Sequence, residues 1–239
     1  MNERNQTRTA LQRVAVHIVA RARVAETGRF SLRVTPGGFG TPEYGANFRR
    51  VRVAGTDLVV ESDTPGSSAA RRTPIGGSTL RTLAAFAEVD LTQPLDVGHD
   101  TPAAGDLDQA IELDAVDAAA IASWHGLVAA MLDRVLAELP ALVGATVTRL
   151  WPEHFDVAFD AATSPGQRVN LGGSPGDGYS DEPYLYVGPF SSERPDDSSF
   201  WNAPFGAART RSELVAVAGE DDLVASGAAF LLDGYRRLA

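Results

Sequence analysis

Apolar and polar residues alternate along several short stretches in the first third of the chain, the pattern of half-buried β-strands. One stretch runs from Phe30 to Val34, and two more, 48–53 and 58–61, flank Gly55 and Thr56. These stretches predict a strand followed by a β-hairpin. The run 62–77 is rich in Ser, Pro, Gly and Ala, and its composition predicts a surface loop.

A second group of alternating stretches follows in the last 100 or so residues. The predicted strands span 145–151, 155–160, 168–171 and 184–187. Phe155, Val157 and Phe159 form one apolar face of their strand. If 161–167 closes a hairpin, we expect Asp160 to lie opposite Arg168.

Between and around these strands, apolar residues recur at helical spacing. The stretch 7–25 fits a helix or a strand, and its length favours a helix. Another helix is predicted to begin near Ser78. The residues 90–114, rich in Asp, Pro and Gly, predict an extended segment, and a long helix follows from Asp114 as its N-cap to Pro140.

The final part of the chain predicts further helices. Thr210 and Glu213 have the spacing of a capping box, and an apolar stripe runs through the last helix to Arg236. Two groups of strands with helices between and after them predict an α+β fold. We expect largely antiparallel sheets, covered by the long central helix and the C-terminal helices, in a single domain of residues 1–239.

Composition excludes several kinds of chemistry. The 239 residues include no cysteine and no lysine. Disulfides, thiolate nucleophiles and cysteine-ligated metals are therefore absent. A Schiff-base lysine, a Walker lysine and a kinase lysine are excluded as well. No cofactor can be assigned from what remains.

Charge argues against two classes of partner. The net charge is −10, with +7 in residues 1–81 and −17 in residues 82–239. An acidic chain repels nucleic acid and anionic membranes, so we expect neither as a partner.

The apolar stretch 14–20 is too short to span a membrane. Without a targeting segment in the sequence, we expect a cytoplasmic location.

Residues with candidate catalytic chemistry are concentrated between Leu150 and Gly206. His154 and Asp156 form an H-x-D pair, which on a strand would place both side chains on one face. Such a pair suits an acid–base mechanism or a metal site. A metal site would need a further histidine, and His17, His99 and His125 all precede the pair. We assign no metal ligands. Tyr184, or alternatively Tyr186, is the candidate proton donor of the acid–base mechanism.

The same block carries candidate binding residues. Tyr184 and Tyr186 share one face of their predicted strand, and with Trp201 and Asn202 they would form an aromatic pocket with polar groups, the usual composition of a small-molecule site. Packing with a bound hydroxyl is the ordinary role of buried tyrosines. Asp177 is a further candidate ligand-binding residue.

The arginine-rich strand 48–53 supplies candidates for an anion. Arg50, with Arg49 or Arg52 beside it, suits a carboxylate or a phosphate. Charge complementarity with the acidic remainder of the chain is the alternative.

Two glycine-rich strings do not provide strong evidence for a site. In G-x-S-x-G (172–176), Pro175 lacks the N–H that an oxyanion hole needs, and the string 35–42 predicts a tight turn, with a mobile flap as the alternative.

The order of these motifs resembles a known family. The strings W-P-E-H-F-D (151–156), G-G-S-P-G-D (172–177) and E-P-Y-L-Y (182–186), with the C-terminal L-L-D-G-Y (231–235), are similar to a bacterial family, common in actinobacteria, that is known only as a domain of unknown function. The likeness extends to T-P-G-G-F-G-T-P (35–42). The aromatic run 186–190 departs from the family pattern. The resemblance implies a single domain. The family has no established catalytic residue, so the resemblance assigns none here and leaves function open.

Two functions remain open at this stage. The first is a cytoplasmic protein that binds a small molecule in an aromatic and polar pocket. The second is an enzyme with His154 and Asp156 as an acid–base pair or a metal site. An interaction module is a third possibility, which would require a large exposed apolar patch. Ligand identity and oligomeric state are beyond the sequence.

Overall fold

A computed structural model describes residues 3–64, 67–95, 97, 101–139, 144–191 and 197–239. The chain divides into two compact units. The first comprises Met1–Ser123 with Leu150–Phe155, and the second comprises Trp124–Arg149 with Asp156–Ala239. The expectation of a single domain stays a prediction.

The described residues form ten strands and six α-helices, with one π-helical segment. The strands are β1 (Arg33–Thr35), β2 (Gly38–Gly40), β3 (Arg50–Ala54), β4 (Asp57–Thr64), β5 (Ser67–Pro74), β6 (Arg149–Trp151), β7 (Asp156–Ser164), β8 (Gln167–Ser174), β9 (Tyr184–Pro189) and β10 (Ala207–Thr210). The helices are α1 (Glu3–Val14), α2 (Arg21–Thr27), α3 (Leu80–Phe86), α4 (Ala115–Glu138), α5 (Arg211–Ala218) and α6 (Leu223–Arg236). The π-helical segment, Ala15–Ala20, joins α1 to α2.

Both sheets are antiparallel, which confirms the α+β class. Their strand orders are β1-β2-β3-β4-β5 and β10-β9-β8-β7-β6. In the first unit, the buried π-helical segment packs against β2, β3 and α3. The apolar face of the first sheet, which includes Phe39, Val51 and Leu58, forms that core.

The second sheet is covered on one face by helices, as predicted. A Cβ added to Gly173 on β8 would lie 2.7 Å from Val128 of α4, and one added to Gly234 of α6 would lie 2.5 Å from Val187 on β9. Glycine at these two positions therefore allows α4 and α6 to pack closely against the strands. This face of the sheet is buried beneath α4 and α6.

Several predicted elements are confirmed. The hairpin of β3 and β4 turns at Gly55 and Thr56, and the stretch 7–25 is helical. Asp114 caps α4 by accepting the N–H groups of Val116 and Asp117 at 2.8 and 2.9 Å. Thr210 and Glu213 form the capping box of α5. Pro140, predicted to end α4, lies outside the described residues.

Two expectations are wrong. The predicted loop 62–77 contains β5, which pairs with β4 along its whole length. An edge strand needs one partner and tolerates a polar sequence, so S-S-A-A-R-R-T-P suffices. Asp160 lies opposite Asn170, not Arg168, although the Arg168 side chain reaches diagonally to form an ion pair with Asp160. The turn at Pro165 and Gly166 is tighter than predicted, which shifts the register.

One helix has the length and apolar content of a membrane span. Among the described residues, α4 alone passes this test, and 39% of its most apolar window is buried. In the second unit its buried residues Trp124, Val128, Met131 and Val135 follow helical spacing. That spacing gives one apolar stripe, as in a helix that covers a sheet.

Candidate functional site

Strand register determines which side chains of the second sheet lie on the same face. Tyr184 is paired with Ser174, and Tyr186 with Gly172. Residues directly opposite each other in an antiparallel pair share a face. Leu185 and Val187 point towards α6. Because side chains alternate along β9, Tyr184 and Tyr186 point away from the helices and share one face, as predicted.

Tyr186 is held by a carboxylate and an amide. Its hydroxyl donates a short hydrogen bond to Asp156 Oδ2, and Asn170 Nδ2 donates to the hydroxyl oxygen at 3.3 Å. Gly172 lies beneath the ring, where an added Cβ would come within 2.6 Å of the hydroxyl oxygen. Tyr186 and Asp156 are both buried, so the pair is fixed in place.

Asp177 organises the loop that joins β8 to β9. Its Oδ2 accepts from the Tyr184 hydroxyl at 2.7 Å and from Ser174 Oγ at 3.2 Å. Its Oδ1 accepts the N–H groups of Tyr179 and Ser180 at 2.8 and 3.4 Å. Because Ser174 is only 1% exposed and bound in this network, the G-x-S-x-G string does not present a free nucleophile.

The rings of four residues meet on this face, and we call them the tyrosine cluster: Tyr179, Tyr184, Tyr186 and Phe205. Tyr179 lies edge-on to Tyr184 and Phe205, with centroids 5.3 and 4.8 Å apart. Phe205 also contacts Tyr184 and Tyr186 at 6.2 and 6.3 Å. These separations are those of favourable aromatic pairs, and they pack the cluster closely.

The surroundings of Tyr184 and Tyr186 keep both hydroxyls protonated. Burial, followed by the Asp177 hydrogen bond and charge, raises the pKa of Tyr184 far above its ordinary value. Burial and the Asp156 charge raise the pKa of Tyr186 in the same direction. A phenol with a raised pKa is a weaker acid, so both tyrosines serve as fixed hydrogen-bond donors.

This arrangement predicts a loss of stability in alkali. The folded protein keeps both protons at pH values where the unfolded chain loses them, above a tyrosine pKa of about 10. The stabilisation is complete below that pH and declines as pH rises towards the folded-state pKa. Urea unfolding at pH values of about 8 and 11 should show this decline. Tyr184→Phe should reduce this decline, because it removes one of the two hydroxyls with a raised pKa. An unchanged decline in Tyr184→Phe would contradict the assignment.

His154 does not share a strand face with Asp156. It is exposed and lies in the turn 152–155, ahead of β7. Phe155 between the two has a φ of 58°, a left-handed conformation, and its ring is buried edge-on against Phe39 at 5.2 Å. The expected alternation is therefore wrong, because this turn interrupts the strand. Asp156 begins β7 as the buried partner of Tyr186.

The remaining predicted site residues lie in other environments. Asn202 uses both ends of its amide on the backbone of Ala208, donating at 3.1 Å and accepting at 2.9 Å, so it caps the edge strand β10. The ring of Trp201 packs edge-on against Phe200 at 4.9 Å. Arg50 belongs to the first unit, where it forms ion pairs with Glu43 and Glu61, both at 3.1 Å.

A surface cavity of about 350 Å³ lies elsewhere in the second unit, and we call it the phenylalanine cavity. It is formed by the segment 197–200, β10, α5 and α6. Its walls include Phe200, Phe230 and Leu214, with Arg209 and Arg237 among its polar residues. Because Arg209 is paired with Leu185, it lies on the helix-covered face of the sheet, away from the tyrosine cluster.

The two arginines of the phenylalanine cavity differ in their partners. The Arg237 guanidinium stacks over Phe200 at 4.3 Å and forms ion pairs with Asp197 at 2.7 Å and Asp233 at 2.9 Å. The Arg209 guanidinium lies 6.0 Å from the centroid of Phe230. Within the part of the chain that the structure describes, it has no hydrogen bond or ion pair. Arg209 thus offers unused donors within a cavity.

Sequence reasoning missed most of this cavity. Phe200 belongs to the aromatic block, but Arg209, Phe230 and Arg237 come from later elements. The string A-A-R-T (207–210) shows no alternation of apolar and polar residues. It was too short to interpret without the pairing to β9.

The described residues contain no group of three or more histidine, aspartate and glutamate side chains placed to hold a metal ion. His99 lies outside the described residues. No protein-family model, curated protein or solved structure matches the chain. The resemblance to the actinobacterial family stays a prediction.

Proposed function

We propose that this protein binds a small zwitterionic molecule with an apolar body, and that the phenylalanine cavity is the binding site. The observation that carries the proposal is the Arg209 guanidinium, which lies over Phe230 without an acidic partner among the described residues. A guanidinium has five donors in a planar fork that matches a carboxylate. Arg209 is the group that would bind the anionic end of the ligand.

The charges around the cavity support a ligand with both signs. The lining has two arginines, Arg209 and Arg237, against three carboxylates, Asp197, Glu213 and Asp233. A purely anionic ligand would meet a net negative lining, whereas a ligand that also carries an ammonium group would complement it. The carboxylates that pair with Arg237 remain near the surface, where they can attract that group.

The walls support an apolar body. Phe200 and Phe230 lie 5.5 Å apart between ring centroids, and Leu214, Val217 and Ala229 add further apolar surface to the lining. A cavity of 350 Å³ is at the lower end of the range of about 300–1,000 Å³ in which small ligands bind. A free amino acid with a large apolar side chain has this combination of size, charge and surface.

Three related probes test the proposal by isothermal titration calorimetry. L-Phenylalanine carries both charges, phenylacetate lacks the ammonium group, and phenethylamine lacks the carboxylate. We expect L-phenylalanine to bind with a Kd of about 1 mM or tighter. Each of the other two probes should bind at least about tenfold more weakly, since each loses one charged interaction of about 1.5–3 kcal/mol.

A matched pair of variants identifies the site. Arg209→Gln should weaken L-phenylalanine binding by about 10- to 100-fold, from the loss of a charge-assisted hydrogen bond. Arg236→Gln is the control, because Arg236 is an exposed α6 arginine that pairs with Glu138 at 3.5 Å and does not line the cavity. Equal binding by wild type and Arg209→Gln would refute the proposal. So would equal binding of all three probes.

A cytoplasmic location belongs to the same proposal. It is supported by a chain without cysteine, a composition suited to a reducing compartment. Free amino acids and related zwitterions are abundant there. Fractionation of cells that express the full chain would test the location directly.

A further inference from the structure

The polar face of the first sheet carries a second candidate site, which lies outside the proposed function. In the β1–β2 register Arg33 is opposite Gly40, and in the β2–β3 register Gly40 is opposite Arg52. The three residues therefore form one row across three strands and share a face. Two arginines flank a glycine in that row.

Gly40 lets β2 lie close to Arg52 of β3. A Cβ at this position would lie 2.4 Å from the Cβ of Arg52 and 3.0 Å from its Cα. No side chain fits there without moving the strand, so this close approach requires glycine. A cavity of about 320 Å³ occupies this face, and we call it the arginine cavity. Its lining includes Arg33, Arg50, Arg52, Thr35, Thr41 and Glu61.

The lining carries an excess of positive charge. Glu61 is its only carboxylate among the described residues, and it is shared: Arg52 donates to Oε1 at 2.8 Å, and Arg50 lies 3.1 Å from Oε2. The Arg52 hydrogen bond, with the charges of Arg50 and Arg52, lowers the pKa of Glu61, so this carboxylate stays ionised. Arg50 also reaches Glu43 outside the cavity.

Among the described residues, Arg33 differs from Arg50 and Arg52 because it has no carboxylate partner. Across the described ranges its exposed guanidinium forms no ion pair or hydrogen bond. Thr35, two residues along the same strand and therefore on the same face, has a buried hydroxyl oxygen with no hydrogen-bond partner among the described residues. A buried hydroxyl without a partner costs free energy. An acceptor from outside the chain would satisfy both groups.

We infer that the arginine cavity binds an oxyanion, with Arg33 and Arg52 as its charged donors and the Thr35 hydroxyl donating to it. Arginine forks and hydroxyl groups are the donors that bind phosphate and carboxylate oxygens in proteins. The shared chemistry is a compact anion with several acceptor oxygens. Inorganic phosphate and acetate serve as the two probes, one tetrahedral and one planar.

Calorimetric titration at constant ionic strength tests the inference. Wild-type protein should bind inorganic phosphate or acetate with a Kd of about 1 mM or tighter, and chloride should produce no comparable heat. Tighter binding of phosphate would identify a phosphate group as the natural ligand feature, and tighter binding of acetate would identify a carboxylate. Absence of binding by both anions beyond the chloride response would overturn the inference.

Variants separate this site from general charge effects. Arg33→Gln should weaken binding of the preferred anion at least about tenfold, and Thr35→Val should weaken it severalfold. Arg72→Gln is the control, because Arg72 lies on the same face, opposite Val59, pairs with Asp57 at 3.5 Å and does not line the cavity. Undiminished binding by Arg33→Gln would overturn the inference, as would an equal loss in Arg72→Gln. L-Phenylalanine binding should be unaffected by Arg33→Gln, so the two proposals can be confirmed or refuted independently.

Discussion

Replacing Gly234 with alanine should lower the free energy of unfolding by about 2 kcal/mol, the cost of overpacking a rigid contact. The added Cβ would lie 2.5 Å and 2.9 Å from the two Cγ atoms of Val187 and 3.1 Å from its Cβ. Val187 is fully buried in the middle of β9, and a β-branched side chain has little freedom to move aside. The helix would have to shift away from the sheet. Urea unfolding of the full chain measures the loss.

Gly126 provides the matched control for this substitution. It lies on an exposed side of α4, where an added Cβ would have no neighbour within 4 Å. Gly126→Ala should therefore raise the free energy of unfolding by about 0.5–1 kcal/mol through helix propensity alone. Opposite signs for the two Gly→Ala changes are the expected outcome. Stabilisation by Gly234→Ala would show that α6 does not rest against β9 at this point.

Replacing Tyr186 with phenylalanine should lower the free energy of unfolding by about 1.5–3 kcal/mol, the range for a hydrogen bond to a charged group. The ring and its packing are retained, but the carboxylate of Asp156 loses the short hydrogen bond from the hydroxyl. Asp156 is 6% exposed, so water replaces the lost donor poorly. The same urea titration gives the change.

Tyr184→Phe is the comparison for this second effect. Its carboxylate partner Asp177 retains three other donors, from Ser174 and from the N–H groups of Tyr179 and Ser180. We therefore expect a smaller loss of about 1 kcal/mol. If the two substitutions cost the same, the buried Asp156 carboxylate would not be the source of the larger effect.

Much of the fold follows from local pattern. The alternation around Gly55 and Thr56 was sufficient to predict the first hairpin, and the alternation of Tyr184 and Tyr186 placed both hydroxyls on one face. Capping residues marked the starts of α4 and α5. These features depend on backbone periodicity and on groups within a few residues, so the sequence displays them directly.

Features that depend on distant partners were not visible. Strand β5 has the composition of a loop and forms because β4 supplies its hydrogen bonds. The turn at His154 exists because the Phe155 ring is buried against Phe39, more than 100 residues away. That contact holds the backbone in a left-handed conformation rare for phenylalanine. No local pattern encodes it.

The candidate sites show the same difference between local features, which the sequence displays, and features that depend on distant partners. Tyr184, Tyr186 and Asp177 were predicted as functional. Tyr184 donates to Asp177 and Tyr186 donates to Asp156, and the raised pKa values of the two tyrosines keep both hydroxyls protonated. The phenylalanine cavity draws its walls from four separate segments, and Arg209 lies on a strand of only four residues. Its position became apparent only from the register of β10 with β9.

The most direct test of small-molecule binding in the phenylalanine cavity is native mass spectrometry of wild-type and Arg209→Gln protein in the same L-phenylalanine solution. The proposal predicts that wild type binds L-phenylalanine with a stoichiometry of one per chain. At ligand concentrations well below the wild-type Kd, it predicts an occupancy about 10- to 100-fold lower in the variant. Equal occupancy in the two proteins, or no bound molecule in wild type at millimolar concentration, would contradict it.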